Sequence, residues 1–217
     1  MARSILVIAE RAEATMTDHV EIEQKFDVDE DFERPDFGAL PGVTAAAPVV
    51  HRLAATYFDT QGDRLAANKI TLRRRTGGTD EGWHLKLPAA DGNRQELHEP
   101  LGDSADVVPE RFASRVAEVT GGRPLAPIAQ LDTERTVVTL TRDDGRTVAE
   151  VADDLVTARR LNGASGGGAG QPLRWREVEV EVPEPEPELQ QAAADLLLAA
   201  GARPSGQASK LGRLLSS

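Results

Sequence analysis

The chain contains no cysteine among its 217 residues. Disulfide bonds, thiolate metal sites and cysteine nucleophiles are therefore excluded. Its four histidines do not have the H-E-x-x-H spacing with which zinc proteases place two ligands on one helix face, so a zinc protease site is not expected. These histidines are His19, His51, His84 and His98.

Long apolar runs and a positive net charge are also missing. No apolar run approaches the roughly 20 residues that a membrane-spanning helix needs, and the apolar stretch at residues 5–9 is too short for a signal-peptide core. The formal net charge is −11 and the sequence pI is near 4.9, which argues against a nucleic-acid or anionic-membrane surface. We therefore predict a cytoplasmic protein without nucleic-acid or membrane partners, in which phosphate binding requires a local basic cluster.

Aromatic residues make up only 4% of the chain, but hydrophobic residues make up 40% and supply a core. The length suffices for one large domain or two small ones. The glycine-rich tract 163–170 is too short to separate domains and is expected to be a loop between strands. We predict one domain over residues 19–217, preceded by an N-terminal extension over residues 1–18, for which a peripheral helix is the alternative.

The dominant local pattern is that of β-strands separated by Gly- and Asp-rich hairpin turns, which favours antiparallel pairing. Two helices are also expected, one from Pro109 to Gly121 and one from Pro187 to Gly201, because proline suits the first helical turn and glycine ends a helix. The expected strands are residues 20–28, 52–60, 69–76, 82–88, 94–101, 131–141, 146–153 and 174–182.

The first of these strands carries the pattern Glu21-x-Glu23-x-Lys25. Side chains on a strand alternate between faces, so these three charged residues share one face. Two carboxylates at this spacing form a hard-oxygen site suited to Mg²⁺ or Mn²⁺, and the lysine can hold a phosphate that the metal also contacts. For the segment alone, the alternative is a solvated strand face of mixed charge.

Other strands repeat this alternation of charged and apolar faces. Arg73 and Arg75 share a face opposite Leu72 and Arg74, and a later strand alternates three glutamates with valines. Such a pattern often means one face toward a core and one toward water. If the sheet instead closes into a barrel, the charged faces line its lumen, which can then hold a metal-bound polyanion.

An ordered series of further motifs follows Glu21-x-Glu23-x-Lys25 along the chain. In this order and at strand spacing, the motifs resemble those of the CYTH domain, within the triphosphate tunnel metalloenzyme superfamily, over about residues 19 to 214. The series comprises Tyr57-Phe58-Asp59-Thr60, Leu72-Arg73-Arg74-Arg75, Trp83-His84-Leu85-Lys86, Arg94-Gln95-Glu96, Arg135, Glu150 to Asp153, Glu177-x-Glu179-x-Glu181 and Ser209-Lys210.

The resemblance implies an α+β, mainly β fold: a closed eight-stranded antiparallel barrel with helices packed on the outside. It also implies a triphosphatase that uses Mg²⁺ or Mn²⁺ to hydrolyse a small-molecule triphosphate, with Lys25 and Glu150 as catalytic residues. The metal ligands implied by position are Glu21, Glu23, Glu150, Asp153, Glu177 and Glu179. The substrate-binding residues implied by position are Lys25, Arg73, Arg75, Lys86, Arg135 and Lys210.

Two departures from the common pattern bear on the substrate. Thr133 stands where many members have a second basic residue, which weakens the hold on a far phosphate. Thr71 stands where thiamine triphosphate specialists have a tryptophan, so inorganic triphosphate is the expected substrate. The alternatives are a nucleoside triphosphatase, an adenylate cyclase, a thiamine triphosphatase, and a polyphosphate-binding module without turnover. The oligomeric state stays open.

For some residues in these motifs, a structural role is the alternative to a role in the site. Glu96 either belongs to the site or forms an exposed cross-strand pair with Arg94. Glu181, at a strand end, is expected to be solvated or to support a ligand. His84 shares a face with Lys86 and is expected to support a neighbour, and Arg74 is expected to point outward.

Overall fold

The computed structural model describes residues 22–88, 94–102, 104–161 and 171–217, and for Ile22 and Arg94 it describes the backbone alone. Three features of the sequence analysis lie outside these residues. They are the expected metal ligand Glu21, the predicted N-terminal extension at residues 1–18 and the glycine-rich tract at residues 163–170.

Ten antiparallel strands form one sheet within the described residues. Its order is β10-β1-β9-β8-β7-β3-β4-β5-β6, and β2 pairs with β7. Each of the eight expected strand segments overlaps one of the longer strands, while β2 and β10 have two residues each. The strands are β1 (Ile22–Val28), β2 (Thr44–Ala45), β3 (Val49–Asp59), β4 (Thr71–Thr76), β5 (Gly82–Pro88), β6 (Arg94–Glu99), β7 (Ala126–Thr141), β8 (Thr147–Arg160), β9 (Leu173–Val182) and β10 (Arg203–Pro204).

Short helices connect and cover these strands, so the mainly β, α+β class is confirmed. The helix expected after Pro109 is divided at Val116, and it ends at Gly121, whose φ of 61° is accessible to glycine without strain. The helices are α1 (Arg64–Ala67), α2 (Glu110–Arg115), α3 (Ala117–Thr120), α4 (Pro187–Ala199) and α5 (Lys210–Leu215), and residues 37–39 form a 3₁₀ turn.

Two apolar clusters cover the outer face of the sheet. Helix α4 packs Leu189 and Leu197 against Val178 and Val180 of β9. Helices α1 to α3 cover a second cluster around the fully buried Leu72 of β4. Each fully buried Leu or Val side chain stabilises the fold by roughly 1.5–3 kcal/mol. The alternation expected from the sequence therefore places the apolar sides of these strands beneath the helices.

Helix α5 is an exception to the expectation that helices pack outside the sheet. Its Leu211 and Leu214 pack with Tyr57, Leu131 and Trp175, which come from the opposite, inner face. This third cluster therefore lies on the inner side of the sheet. The first residue of the helix, Lys210, lies at the wall of a cavity on this side.

The sheet curves strongly around that cavity. Strands β5 and β9 are separated by four strands in the sheet order, yet Lys86 of β5 is close enough to Glu181 of β9 to act on the pKa of its carboxyl. Among the strand pairings of the described residues, none joins β6 to β1 or β10. The closed eight-stranded barrel therefore stays a prediction.

In the described part of the chain, every helix is too short or too polar to cross a membrane.

Candidate functional site

The inner face encloses a cavity of about 570 Å³ whose lining comes from strands throughout the sheet and from the start of α5. Nine residues that the sequence assigned to the site line this cavity together: Glu23, Lys25, Arg73, Arg75, Lys86, Arg135, Glu150, Glu179 and Lys210. Strand alternation explains this convergence for the strand residues, because each strand turns every second side chain inward.

Three glutamates form a row across neighbouring strands at one side of the cavity. Glu181 of β9 is the register partner of Glu23 on β1 and of Glu150 on β8. Partners in adjacent strands have Cβ atoms about 4.5–5.5 Å apart, so the three carboxylates share one neighbourhood. Withdrawal from bulk water raises the pKa of Glu181, and Glu23 and Glu150 add to this against the opposing effect of Lys86. This row carries negative charge that its neighbours compensate incompletely.

Lys25 lies one step along the same strands, between two carboxylates. Its Nζ donates to Glu23 at 3.0 Å and also to Glu179, its register partner on β9. Burial opposes the charge of this ammonium, but Glu179 and Glu23 outweigh it and raise the pKa of Lys25. Lys25 is therefore a fixed positive charge at neutral pH and not a general base.

A buried acidic trio lies deeper, toward α5. Carboxylate oxygens of Asp154, Glu177 and Glu179 lie within 4.8 Å of one another, an arrangement that suits a hard divalent cation. The Nζ atom of Lys210 lies at 2.8, 2.7 and 2.8 Å from oxygens of these three residues, respectively. The ammonium group thus occupies the centre of the trio. Helix α5 is joined to the sheet at this point.

Arg135 completes the neutralisation of this trio. It donates from Nε and Nη2 to the two oxygens of Asp154 at 2.8 and 2.7 Å, and from Nη2 to Glu179 at 2.7 Å. Burial alone would raise the pKa of both carboxyls. Lys210 outweighs it, together with Arg135, and holds the pKa of Asp154 below its usual range and that of Glu179 well below it.

The opposite wall carries guanidinium groups with few carboxylate partners. Arg73 and Arg75 project from β4 beside Arg135, and burial together with the charges of Arg73 and Arg135 lowers the pKa of Arg75 to about 9. The Nε atoms of Arg73 and Arg75 are buried without a hydrogen-bond partner among the described residues. Arg73 hydrogen-bonds Tyr57, and although burial opposes its charge, Tyr57 and Glu96 raise its pKa. This wall therefore carries positive charge that an anion would stabilise.

A loop over residues 77–81 folds back over this wall. Its Asp80 forms an ion pair with Arg75. The turn requires Gly77, which has φ of +80° and where a Cβ would lie 2.1 Å from the carbonyl oxygen of Arg52. Asp80 is half exposed and belongs to the cavity lining, so a carboxylate already contacts Arg75 where an anion would bind.

The last cation of this wall, Lys86, donates to Glu96 at 3.1 Å. The other oxygen of Glu96 lies 2.8 Å from Nδ1 of the buried His84. Glu96 is thus part of the cavity wall rather than an exposed surface pair.

Asp153, which the sequence predicts to be a metal ligand, pairs with arginine residues on the other face of the sheet. Its carboxylate accepts two hydrogen bonds from Arg176, at 2.9 and 2.8 Å, and Arg34 lies 3.5 Å away. Counting by two along β8 from the inward Glu150 places Asp154 inward and Asp153 on the opposite face. The sequence pattern predicts a strand that ends at residue 153, whereas β8 continues to Arg160. The same count would have identified Asp154.

Two other residues of the site were not assigned to it from the sequence. Glu181 shares the face of Glu177 and Glu179 by alternation, so its position was within reach of the pattern. Asp80 lies in an irregular loop, where no periodicity indicates which side chain turns back over the sheet. The remaining expected ligand, Glu177, lies outside the cavity lining and accepts a hydrogen bond from Trp175 at 2.5 Å.

Together, these features define a class of protein: a curved antiparallel sheet whose inner face brings arginine and lysine side chains to one wall of a cavity and carboxylates to the other. The comparison with protein families agrees, because the CYTH domain matches residues 19–211. The chain belongs to the CYTH domain family.

Two uncharacterized proteins of Mycobacterium tuberculosis, from strains CDC 1551 and H37Rv, are each 39% identical to this chain over 206 residues. The match covers 91% of this chain but only 40% of each relative, so the chain spans less than half the length of the curated relatives that it matches.

The fold is also similar to that of a solved structure from Bacillus halodurans, named as a "putative adenylate cyclase". The two align with a TM-score of 0.59 and 16% sequence identity, over 90% of this chain and 97% of that one. At this identity, the likeness concerns the fold alone.

Proposed function

We propose that this chain is a metal-dependent triphosphatase that converts inorganic triphosphate to pyrophosphate and phosphate. The observation that carries the proposal is the division of one cavity into a cationic wall, with Arg73, Arg75 and Lys86, and a carboxylate row, with Glu23, Glu150 and Glu181. A triphosphate needs several cationic donors, and a metal that neutralises its charge needs oxygen ligands. A cavity lined by carboxylates alone would lack the cationic wall, and a simple anion site would lack the carboxylate row.

The residues at the carboxylate row fit Mg²⁺ or Mn²⁺. The row offers oxygen donors alone, and Glu23 and Glu150 contribute to the raised pKa of Glu181, which a cation would relieve. The acidic trio fits a divalent ion less well, since Lys210 and Arg135 already neutralise it. When bound at the row, the metal ion would supply charge neutralisation and a water of lowered pKa.

The side chains of the cavity wall account for substrate binding and orientation. Arg73 and Arg75 offer planar groups that match phosphate oxygens bidentately, whereas Lys86 contributes a point charge. Lys25, with its raised pKa, stays protonated and favours phosphate next to the carboxylate row. Glu150 at the rim, exposed to cavity water, is proposed to accept a proton from the attacking water. The enclosed setting strengthens each of these interactions.

The substrate is proposed from the lining of the cavity. Among the described residues that line it, Tyr57 is the one Phe, Tyr or Trp side chain, and it is buried and hydrogen-bonded to Arg73. Thr71 offers no ring for stacking. Base or thiazolium recognition uses stacking on an aromatic face. Inorganic triphosphate should therefore be cleaved with a higher kcat/KM than ATP or thiamine triphosphate.

Competition kinetics with these three substrates, at matched Mg²⁺ or Mn²⁺, test the proposal. Release of phosphate and pyrophosphate from inorganic triphosphate is expected, and only with metal present. A clear preference for ATP would replace the proposal with a nucleotide enzyme. Binding of triphosphate without phosphate release at either metal would indicate a polyphosphate-binding module.

Glu23→Gln tests the metal site directly. The variant should lose metal-dependent turnover and keep its fold, and the same is expected of Glu21→Gln. Glu134→Gln is the matched control, because Glu134 is an exposed strand carboxylate outside the cavity, 3.7 Å from Arg52. Wild-type turnover of Glu23→Gln at limiting metal would contradict the assignment.

A further inference from the structure

His84 is a buried histidine behind the cavity wall. It is 3% exposed and does not itself line the cavity, but it lies on β5 as the register partner of Arg73 on β4 and of His98 on β6. Two residues that do line the cavity, Asp80 and Glu96, contact its ring. Any role of His84 must therefore pass through these neighbours.

Both ring nitrogens of His84 face oxygens that ordinarily accept hydrogen bonds. Nε2 lies 2.9 Å from the main-chain oxygen of Asp80, and Nδ1 lies 2.8 Å from Oε1 of Glu96. A neutral imidazole has one N–H, which can serve only one of these contacts. The second contact becomes a hydrogen bond only when a further proton is present, either on Nδ1 or on the Glu96 carboxyl.

The charges around the ring disfavour that proton while the cavity contains no anion. Burial lowers the pKa of His84 to about 4, with Arg73 and Arg75 adding to this shift and Glu96 opposing it. Among the described residues, the other charged or titratable groups near the ring are of two kinds. Lys86 donates to Glu96, and the His98 ring centroid is 4.9 Å from that of His84. Around the two arginines, Asp80 pairs with Arg75, Arg135 lies beside Arg75, and Tyr57 hydrogen-bonds Arg73.

We propose that His84 is a positioning residue of the anion site, and that one proton from solvent enters the His84–Glu96 pair when a polyphosphate binds to Arg73 and Arg75. The inference rests on the proposed function, since the polyphosphate is its substrate. A bound anion neutralises the two guanidinium charges that oppose the proton. The proton then completes both hydrogen bonds of the ring, which fixes Glu96 with Lys86 on one side and the loop of Asp80 on the other.

Calorimetry of inorganic triphosphate binding measures this coupling. Titrations in metal-free buffer with a chelator, which prevents metal-dependent turnover, are carried out at several values between about pH 5.5 and 8. Two buffers of different ionisation enthalpy at each pH give the number of protons taken up. The matched variants are His84→Gln, Glu96→Gln and His98→Gln. His98 is the control because it contacts the same ring and a main-chain oxygen, Glu81 O at 3.2 Å, without a described carboxylate contact.

The wild-type protein and His98→Gln should take up more protons than His84→Gln and Glu96→Gln, by up to one per triphosphate. The protons of triphosphate itself contribute equally to all four proteins. The affinity of the wild-type protein for triphosphate should fall as pH rises. The fall should reach up to about tenfold per pH unit in the range between the pKa of the His84–Glu96 pair in the free protein and its pKa in the complex. His84→Gln should lose this part of the pH dependence.

Equal proton uptake in His84→Gln and the wild type overturns the inference and leaves the proposed function intact. Triphosphate that does not bind the wild-type protein at all contradicts both. Should His84→Gln fail to fold, ¹⁵N NMR of the His84 ring and ¹³C NMR of the Glu96 carboxyl in the wild-type protein decide instead. Addition of triphosphate should move the pair toward its protonated form, and ring nitrogen and Glu96 carboxyl shifts that stay unchanged would overturn the inference.

Discussion

At the α5 end of the cavity, the acidic trio of Asp154, Glu177 and Glu179 surrounds the Lys210 ammonium, whereas on the opposite wall Arg73 and Arg75 lie beside each other. Both regions bury several charges of one sign. In the first, the opposite charge belongs to the same chain and lies 2.7–2.8 Å away. In the second, the main compensating carboxylates are those of Asp80, at a half-exposed position, and Glu96.

The pKa directions of the two regions show what this difference means. The neighbours of Lys210 overcome burial and raise its pKa, whereas burial and like charges lower the pKa of Arg75 to about 9. The trio is therefore an internal connection that holds α5 to the sheet. The arginine wall carries positive charge that a bound anion would stabilise.

The largest effect expected from this comparison is that of Lys210→Met on stability. The substitution leaves three buried carboxylates whose remaining charged partners are Arg135, at Asp154 and Glu179, and Lys25, at Glu179. Removing one member of a buried ion pair costs about 3–5 kcal/mol. Urea unfolding at pH 7 measures the change in the free energy of unfolding. The loss should shrink under acid. Lys210 depresses the folded-state pKa of Glu179, so its contribution is present above the unfolded pKa and is lost as pH falls.

Arg203→Ala is the control for that measurement. Arg203 forms an ion pair with Asp29 at 2.8 Å, but both side chains are more than half exposed. Its removal should leave unfolding unchanged within error, because exposed ion pairs contribute little. An equally small effect of Lys210→Met would mean that the trio does not hold α5.

The next effect concerns the arginine wall and appears in catalysis rather than in folding. Arg73→Ala should raise KM and lower kcat for triphosphate hydrolysis, with a loss in kcat/KM on the order of 2–4 kcal/mol, as for removal of a transition-state donor. The free energy of unfolding should change less than in Lys210→Met, since the substitution also removes charge repulsion with Arg75. Arg135→Ala should lose activity similarly, together with stability through Asp154.

Arg74→Ala separates this prediction from a general effect of the strand. Arg74 is next in sequence but outside the cavity lining, so steady-state kinetics should change little. Equal losses for Arg73→Ala and Arg74→Ala would show that the two faces of β4 are not functionally distinct.

The smallest effect is that of Glu181→Gln on the carboxylate row. The folded-state pKa of Glu181 is raised, so its protonated form favours folding below the unfolded pKa, and this contribution is lost as pH rises through the folded pKa. The variant should therefore be more stable than the wild type at pH 7. The gain should be below about 1 kcal/mol, because the side chain faces cavity water and is screened.

Thermal unfolding of Glu181→Gln across pH measures the gain in stability without metal, and the same measurement with Mg²⁺ or Mn²⁺ gives the stabilisation by metal. Stabilisation by metal should be weaker than in the wild type, since one oxygen ligand of the row has lost its charge. A variant less stable than the wild type at pH 7 and equally stabilised by metal would exclude Glu181 from the metal site.

Much of this arrangement follows from strand alternation and was therefore available from the sequence. The parity of β1, β4 and β9 places Glu23, Lys25, Arg73 and Glu179 on one face, because successive side chains must point to opposite sides. The ordered motifs further indicated the family. Alternation along the full length of β8 also places Asp154 on the inner face, but the sequence pattern does not show that the strand continues past residue 153.

The remainder depended on contacts between distant parts of the chain. Helix α5 has six residues and includes Gly212, so no periodic pattern predicts it or its place on the inner face. Its position brings the Lys210 ammonium into contact with all three carboxylates of the acidic trio. The ring of His84 likewise contacts Glu96 and Asp80, which neither its residue type nor its spacing specifies. Sequence determined which side chains share a face, since that depends on backbone geometry alone. Tertiary structure decided which charges neutralise each other, because this depends on distances across the cavity.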